Sequence, residues 1–451
     1  MKGEIVMAAT DMTRGPITRQ LIGYALPLVA GSCFQLAYNA VDAIIAGRFI
    51  GKEALAATGI ASPVMNLVIL GISGICMGAG VLMSQFFGAK DEQKLRREMA
   101  TTVLFGLFFS LAVAALGALL TRPILRLLNV PGDIEDITVT YLRITFLGAP
   151  FTYFYNALAQ SLKSVGDSKT PLKFLMFSSC LNAVLDLIFI GLLGFGIVCS
   201  ATTTVIAEAA SAALSFLYIR RKVPMLCLKR AEWRIDPALL KTTLQYGSVT
   251  ALQQAVQPIG KLLIQGQVNA LGVNVIAAFN ACTRVDDFAF TPEQSISHAI
   301  TTFVAQNRGA EKKERIRAGF RRGLMLEACY WVLIGTVTLL FREHIVSWFV
   351  TGEGSAEVIA LGSRYLLSMA LFYLWPAMTN GVQGFYRGMG MMKMTLLGTC
   401  IQTTLRVIFT YLLAPSMGIL GITFACCAGW TVMLLVQVPY YFRCVRRQGL
   451  Q

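Results

Sequence analysis

Long apolar stretches separated by short polar breaks recur along the whole of the 451-residue sequence. Stretches of about 20 residues are long enough for a helix to cross a hydrocarbon core of about 30 Å. Backbone inside lipid must satisfy its own hydrogen bonds, so each stretch is expected to be an α-helix. The pattern predicts an all-α membrane protein with twelve transmembrane helices, at residues 17–47, 55–86, 99–121, 137–162, 170–191, 195–219, 240–270, 275–305, 320–341, 358–386, 394–414 and 417–441.

Composition and charge support this interpretation. The chain is 55% hydrophobic and 14% charged, whereas a soluble domain carries about 25% charged residues. The net charge of +15 falls mainly in alternate loops, including the runs from Arg220 to Lys241 and from Arg308 to Arg322. Cytoplasmic loops are enriched in Lys and Arg. We therefore predict a multi-pass protein of the inner (plasma) membrane with both termini in the cytoplasm, and no nucleic-acid partner.

A weak internal repeat runs through the chain. Gln85-Phe-Phe-Gly-Ala89 returns as Gln306-Asn-Arg-Gly-Ala310, and both copies are followed by a basic residue, an apolar residue and Arg. Six spans separate the copies, so the copies have the same orientation. We predict two six-helix lobes related by a pseudo-twofold axis along the membrane normal, as in many secondary transporters. The lobes are placed at 1–222 and 240–451, with a cytoplasmic linker at 223–239 and the substrate path expected between the lobes.

Motifs for enzymatic or ATP-driven chemistry are missing from the sequence. It contains no Gly-x-x-x-x-Gly-Lys-Ser/Thr loop, and His298 and His344 are not paired. Most of the eleven Cys residues lie inside the spans and are interpreted as packing residues. We therefore expect a protein that is not an enzyme and has no cofactor apart from Na⁺ or H⁺ as a coupling ion.

Carboxylates inside the spans are the strongest functional candidates, because ionisable groups at membrane depth are costly. Asp42 lies in the first span, and Asp186 lies in the fifth, one helical turn after Asn182. Two carboxylates with an amide and a hydroxyl can form an oxygen cage for Na⁺, or one of them can carry a proton. The alternative is a static packing network in which Arg143 or Tyr141 holds one of the acids.

Other polar positions have less certain roles. Glu208 and Thr204 are one turn apart in the sixth span, and Pro27 is expected to kink the first helix. The second half is interpreted as a charge-compensated network, with substrate contact by Glu293 or Asp287 as the alternative. Arg284 and Asp287 are one turn apart and are expected to neutralise each other, and a position of Asp286 and Asp287 near the outer surface is left open. The polar residues of this half are Gln253, Gln254, Gln257, Lys261, Arg284, Asp286, Asp287, Glu293, Glu327 and Arg406.

Several segments together resemble the multidrug and toxic compound extrusion (MATE) family, closer to its DinF-like branch. They are Tyr38-Asn-x-Val-Asp42 with Gly47-Arg48, Gly166-Asp-Ser-Lys-Thr-Pro171, Asn182-Ala-Val-Leu-Asp186, the run from Gly196 to Thr204, and Ala305-Gln-Asn-Arg-Gly-Ala310. The resemblance covers nearly the full length. It implies a two-lobed fold of twelve helices that exports organic cations and other amphipathic compounds in exchange for Na⁺ or H⁺.

The resemblance also implies roles for individual residues. The cation-binding residues would be Asp42, Asn182, Asp186 and Thr204, with Asp42 and Asp186 as metal ligands if the coupling ion is Na⁺, and Pro27 would be the conformational switch. The predicted substrate-binding residues are Gln35, Tyr38, Tyr141, Asn156, Gln257 and Glu293. The NorM-like branch has a Glu in the seventh span and an Asp in the tenth. Here the seventh span offers glutamines and the core of 358–386 has no acid, so a cation site of that design is not expected.

Three other functions are compatible with parts of this pattern. A lipid-linked oligosaccharide flippase of the same superfamily is the main alternative, but such proteins often have more spans and a more basic cavity. A membrane scaffold or receptor would not need buried carboxylates. A major-facilitator transporter would carry an Asp-Arg-x-Gly-Arg-type loop, where this chain has Gly88-Ala-Lys-Asp-Glu. We predict a monomer whose partners are small organic cations and the lipid bilayer.

Overall fold

The computed structural model describes residues 10–49, 52–229, 232–350 and 355–447, and the side chains at 40–49, 52–55 and 447 lie outside that description. Regular secondary structure in the described residues is helical. The α-helices are α1 (Ile17–Phe49), α2 (Lys52–Gly88), α3 (Glu92–Leu127), α4 (Gly132–Ser164), α5 (Lys169–Asp186), α6 (Ile197–Lys222), α7 (Pro237–Asn269), α8 (Val273–Gly309), α9 (Lys313–Ser347), α10 (Ser355–Phe372), α11 (Leu374–Gly388), α12 (Met392–Met417) and α13 (Ile419–Arg447). A π-helical turn (Leu187–Leu192) follows α5, and a 3₁₀ turn (Pro224–Leu226) follows α6.

Each of the twelve predicted spans coincides with helix in the structure. The tenth, at 358–386, is divided at Tyr373 into α10 and α11. Nine helices within the described residues are long and apolar enough to cross a membrane by length and composition alone. Helices α4, α7 and α8, each of which the structure describes in full, are long but contain no stretch of 18 residues that is apolar enough, and α11 has only 15 residues. The polar residues that interrupt these long helices are therefore candidates for functional groups.

Packing divides the chain into two compact units. The first comprises the segment up to Asp11 together with Ala30–Ala251, and the second comprises Met12–Val29 and Leu252–Gln451. Helices α1 and α7 therefore each contribute one part to each unit. The lobe boundaries at 1–222 and 240–451 stay a prediction.

The first unit is held together by close contacts at glycine. A β-carbon on Gly78 of α2 would lie 2.6 Å from the backbone nitrogen of Gly247 of α7, and one on Gly106 of α3 would lie 1.6 Å from a ring carbon of Tyr153 of α4. The Tyr153 hydroxyl donates to the carbonyl of Thr102 at 3.0 Å. Helices in lipid lack a hydrophobic force between them, so close backbone approach at small residues stabilises their packing.

The second unit includes the start of the chain in its core. Met12, Leu21 and Tyr24 are buried against Phe303 of α8 and Phe385 of α11. The hydroxyl of Thr302 donates to the Tyr24 hydroxyl oxygen at 3.0 Å. The first half of α1 is therefore an integral part of this unit, although its sequence neighbours belong to the other.

The repeated basic motif fixes chain segments in both units. In the second unit, Arg315 donates to the carbonyls of Met12 and Gly15, each at 3.0 Å. In the first unit, Arg96 donates to Glu232 at 3.0 Å. The backbone N–H of Lys229 and the charge of Arg96 hold the pKa of Glu232 below its usual range. The motif therefore anchors the segments that precede α1 and α7.

Candidate functional site

Asn182 and Asp186 of α5 lie in the first unit on one buried face. Asn182 and Asp186 are one turn apart, and they are 2% and 1% exposed. The Tyr38 hydroxyl, from the second half of α1, donates to Oδ1 of Asn182. Asn182 therefore links α1 to α5 in the interior of this unit.

Two threonines of α6 complete this cluster. The Asn182 amide donates to the hydroxyl oxygens of Thr203 at 3.3 Å and Thr204 at 3.2 Å. The Thr203 hydroxyl donates to Oδ1 of Asp186, and it also lies 2.8 Å from the carbonyl of Ser200. A hydroxyl has one proton, so Thr203 can donate to Asp186 or to Ser200 but not to both at once. The hydrogen bonding of the carboxylate is therefore able to change without movement of the backbone.

Asp186 also marks a change in helix geometry. It is the last residue of α5, and the π-helical turn begins at Leu187. The wider turn is formed by bonds such as that from the N–H of Leu193 to the carbonyl of Ile188, at 3.0 Å. Such turns often occur at functional sites. Here it changes the helical register immediately after the buried acid.

We call Tyr38, Asn182, Asp186, Thr203 and Thr204 the α1–α5–α6 cluster. It gathers a carboxylate, an amide oxygen and three hydroxyls in one buried place. Oxygen atoms of these kinds are ligands for hard cations, and a carboxylate is also a proton acceptor. The cluster can therefore hold either Na⁺ or a proton. Asp42 was predicted as its second carboxylate, and its side chain lies outside the described residues.

The other residues predicted in the first half lie on the surrounding helices. Gln35 donates to Asn39 one turn along α1, at 3.3 Å, and Asn156 donates to the carbonyl of Thr152 on its own helix, at 2.8 Å. Tyr141 is half-buried and packs against an apolar cluster that includes Leu142. Their assignment as substrate-binding residues stays a prediction.

Glu208 has a partner that its spacing in the sequence does not indicate. The Thr152 hydroxyl of α4 donates to Glu208 of α6. The sequence paired Glu208 with Thr204 along one helix, because residues one turn apart share a face. The observed bond joins two helices, and single-helix periodicity carries no information about such a pair.

In the second unit, the polar residues of α7 and α8 separate into surface and interior groups. Gln257 is exposed, whereas Gln253 is buried and donates to Gln383 at 2.7 Å. Lys261 forms an ion pair with Asp287 at 2.9 Å, and both side chains are about half exposed. The sequence suggested Arg284 as the partner of Asp287. The observed pair instead joins α7 to α8.

Asp286 is buried, and two tyrosines hold it. The hydroxyls of Tyr365 and Tyr373 donate to its two carboxylate oxygens at 2.8 and 2.7 Å. Sequence analysis left open a position near the outer surface for this residue, and it is 6% exposed. Tyr373 stands at the break between α10 and α11. Glu293 is fully buried, and its nearest donor is the amide of Asn380 at 3.5 Å.

Pro27 lies inside α1, which remains helical through it. The proline ring has no N–H, so the carbonyl of Gly23 lacks its usual helical donor. The division of α1 between the two units falls two residues later, after Val29. The role of Pro27 as a conformational switch stays a prediction.

Known proteins resemble this chain over almost its full length. The family model described as MatE matches two ranges, 27–188 and 250–412. The probable multidrug resistance protein YoeA of Bacillus subtilis (strain 168) is 28% identical, with 94% of this chain and 93% of that protein covered. YpnP of the same organism, also a probable multidrug resistance protein, is 27% identical, with 92% and 93% covered.

A solved structure of a multidrug resistance MATE family transporter of the MOP superfamily, in an outward-facing conformation, has a TM-score of 0.90 to this chain. It is 20% identical, and 98% of each chain is covered. This likeness confirms the predicted fold class, an all-α membrane protein of twelve transmembrane helices. The two matches to one family model confirm the internal repeat.

Proposed function

Because the chain belongs to the MatE family, we propose that it is a cation-coupled antiporter that exports small organic cations and other amphipathic compounds by alternating access. It is a multi-pass membrane protein and a transporter rather than an enzyme. Its curated relatives YoeA and YpnP are both described as probable multidrug resistance proteins. Export of drug-like molecules is the corresponding function for this chain.

The observation that carries the proposal is the α1–α5–α6 cluster. Asp186 is buried in a helical unit of a membrane protein, within a group of hydroxyl and amide partners. A carboxylate in such a place is costly unless it binds a cation or a proton. Binding and release of that ion would supply the coupling, with Asp42 as the second predicted ligand.

The distribution of basic residues supports a location and an orientation. The runs from Arg220 to Lys241 and from Arg308 to Arg322 favour the cytoplasmic side of the inner membrane. Both termini would then lie in the cytoplasm. We propose a monomer with no nucleic-acid partner and with Na⁺ or H⁺ as the coupling ion.

Efflux from proteoliposomes tests the proposal. A fluorescent organic cation is loaded, Na⁺ and pH gradients are imposed separately, and wild type is compared with Asp186→Asn and Asp42→Asn. We expect gradient-driven efflux for wild type and at least about a tenfold loss in both variants, a difference that corresponds to about 1.4 kcal/mol. The responding gradient identifies the ion.

The matched control is Asp136→Asn, which makes the same chemical change in a side chain that is 86% exposed and paired with Arg122. This variant should transport as wild type does. Size-exclusion chromatography and thermal unfolding of each variant establish that it is folded. Unchanged efflux by folded Asp186→Asn would contradict the proposed coupling site.

A further inference from the structure

Two glutamates of the second unit are completely buried and belong to neighbouring helices. Glu293 lies on α8 and Glu327 lies on α9, and each is 0% exposed. Both helices pack on each other and on α11. The two acids therefore occupy the interior of one three-helix contact.

The same turn of α11 faces both acids. The amide of Asn380 lies 3.5 Å from Oε2 of Glu293. The adjacent Gly381 is next to Glu327, because a β-carbon there would lie 3.7 Å from Cγ of that residue, an ordinary van der Waals contact. Like charges on two acids placed in this way would repel each other. The two carboxyl groups are therefore electrostatic neighbours across one small surface of α11.

Most of the carboxylate oxygens of Glu293 and Glu327 accept no hydrogen bond within the described residues. Oε1 of Glu293 and both carboxylate oxygens of Glu327 are buried, and they accept no hydrogen bond from the described part of the chain. The ion pairs found among the described residues include neither glutamate. Two bare carboxylates in such a place would each cost several kcal/mol. A group that supplies positive charge or hydrogen-bond donors is therefore needed.

Two side chains of the surrounding helices that could supply donors bond to other groups, and Nε of Arg387 is buried without an acceptor among the described residues. Arg387 of α11 donates to the hydroxyl of Ser297 at 2.7 Å, and Tyr330 of α9 donates to the carbonyl of Ala289 at 3.1 Å. Asp286 lies two turns before Glu293 on α8 and accepts hydrogen bonds from Tyr365 and Tyr373. Other charged or titratable groups on these and neighbouring helices include Tyr24 of α1, Arg284, Asp287, His298 and Arg308 of α8, Arg321 and Arg322 of α9, Tyr365 of α10, Tyr373, Tyr386 of α11 and Arg406 of α12.

We propose that Glu293 and Glu327 form a proton-binding site that retains at least one proton at neutral pH. Protonation removes the charge that burial penalises, and it turns one carboxyl group into a hydrogen-bond donor. Two acids that share one environment cannot both ionise readily, because each charge disfavours the other. This site is separate from the α1–α5–α6 cluster, which belongs to the other unit.

The proton becomes useful for transport if it leaves during the cycle. Exchange of this proton would give the antiporter a second proton-binding site in addition to the α1–α5–α6 cluster. This part of the inference rests on the proposed function. The presence of the bound proton does not depend on the proposed function, because it follows from burial and hydrogen bonding alone.

Infrared spectroscopy of the purified full chain in lipid nanodiscs tests the site without any substrate. Protonated carboxyl groups absorb separately from carboxylates, and their band shifts in D₂O. We expect the wild type at neutral pH to show this band, Glu293→Gln and Glu327→Gln each to shift it or to lose part of it, and the double variant to lose the contribution of both acids. The control is Glu343→Gln, which changes an exposed acid at the end of α9 and should leave the band unchanged.

Glutamine imitates the protonated acid, so both variants should fold and should melt near the wild-type temperature. A neutral-pH band that is as strong in the double variant Glu293→Gln/Glu327→Gln as in wild type would overturn the inference. A band that disappears when Na⁺ replaces K⁺ would also overturn it, because a metal ion would then hold the site. Loss of efflux in Asp186→Asn tests the transport proposal independently. Failure of the proposed function and failure of the proposed proton site can therefore be distinguished.

Discussion

Three consecutive threonines of α6 have three different surroundings. Thr202 is exposed and bonds only to the carbonyl of Val198 in the described structure. Thr203 is buried on Asp186, and Thr204 accepts from Asn182 while it donates to the carbonyl of Ser200 at 2.9 Å. The same substitution at each position therefore separates the contribution of the carboxylate contact from general effects of the helix.

Thr203→Val should be the most damaging of the three valine substitutions. It removes a donor from a buried carboxylate, which costs about 1–3 kcal/mol. Thr204→Val leaves the Asn182 amide with Thr203 as acceptor, so its effect should be smaller, and Thr202→Val should be close to neutral. Thermal unfolding in detergent and cation-driven efflux measure the relative effects of the three valine substitutions. Equal effects at 203 and 202 would contradict the assigned contact.

At the residue scale, the sequence identified the buried acids better than their partners. Asn182 and Asp186 were predicted to share a face because they are one turn apart on one helix, and they do. Thr204 was assigned to the cation site from the family resemblance, and the sequence did not point to Thr203. The donor to Asp186 depends on how α6 is rotated against α5, and this rotation is set by packing that a single sequence does not contain.

Helices α2 and α7 meet at glycines, and the contact has little room. A β-carbon on Gly74 would lie 2.6 Å from that of Ala251, and one on Gly247 would lie 2.7 Å from the Cα of Ile75. Gly71, one turn earlier on α2, has no atom within 4 Å of such a β-carbon among the described residues. One helix therefore carries both a crowded and an uncrowded glycine.

Gly78→Ala should destabilise the protein, and Gly71→Ala should not. The added methyl group at 78 meets the backbone of Gly247, and overpacking of this kind costs about 1–3 kcal/mol. At 71 the better helix propensity of alanine should leave stability unchanged or slightly higher. Melting curves of both variants in the same detergent provide the comparison. A melting temperature for Gly78→Ala at or above that of Gly71→Ala would contradict the close contact.

At the element scale, hydropathy located every span but not the irregular turns. The break at Tyr373 was not predicted, because 358–386 reads as one apolar stretch. The π-helical turn after Asp186 was also not predicted, because it adds one residue to a turn without changing composition. Hydropathy indicates which residues prefer lipid or the protein interior. It does not indicate which N–H pairs with which carbonyl along the backbone.

For the whole molecule, the division of α1 is the feature that the repeat did not reveal. The repeat aligns the two halves of the sequence, and the family matches at 27–188 and 250–412 follow the same division. By packing, however, Met12–Val29 belongs with residues after 252. Sequence similarity reports common ancestry of segments, whereas the contacts of a segment also depend on how connecting helices cross.

Leu21→Ala should therefore weaken the second unit although it lies in the first helix. Leu21 is 0% exposed in that unit's core, and its truncation should cost about 2–5 kcal/mol. Hydrogen exchange should rise in peptides that cover 296–304 and 316–320 more than in peptides from α4 and α5. The control is Leu26→Ala on the same helix, which is 64% exposed. Faster exchange confined to α4 and α5 would contradict the assignment of this segment.

The mixed membership of α1 has a consequence for the order of biosynthesis. The residues that surround Leu21 in its core extend to Val445, near the end of the chain. At a synthesis rate of about 5–20 residues per second, roughly 20 to 90 seconds pass between translation of Met12 and of these last partners. During that interval the first half of α1 has left the ribosome without the core in which it finally packs. This half-helix must therefore stay accessible in the bilayer while its partners in the second half of the chain are made, and its core is completed only when the last of them, near Val445, has been translated.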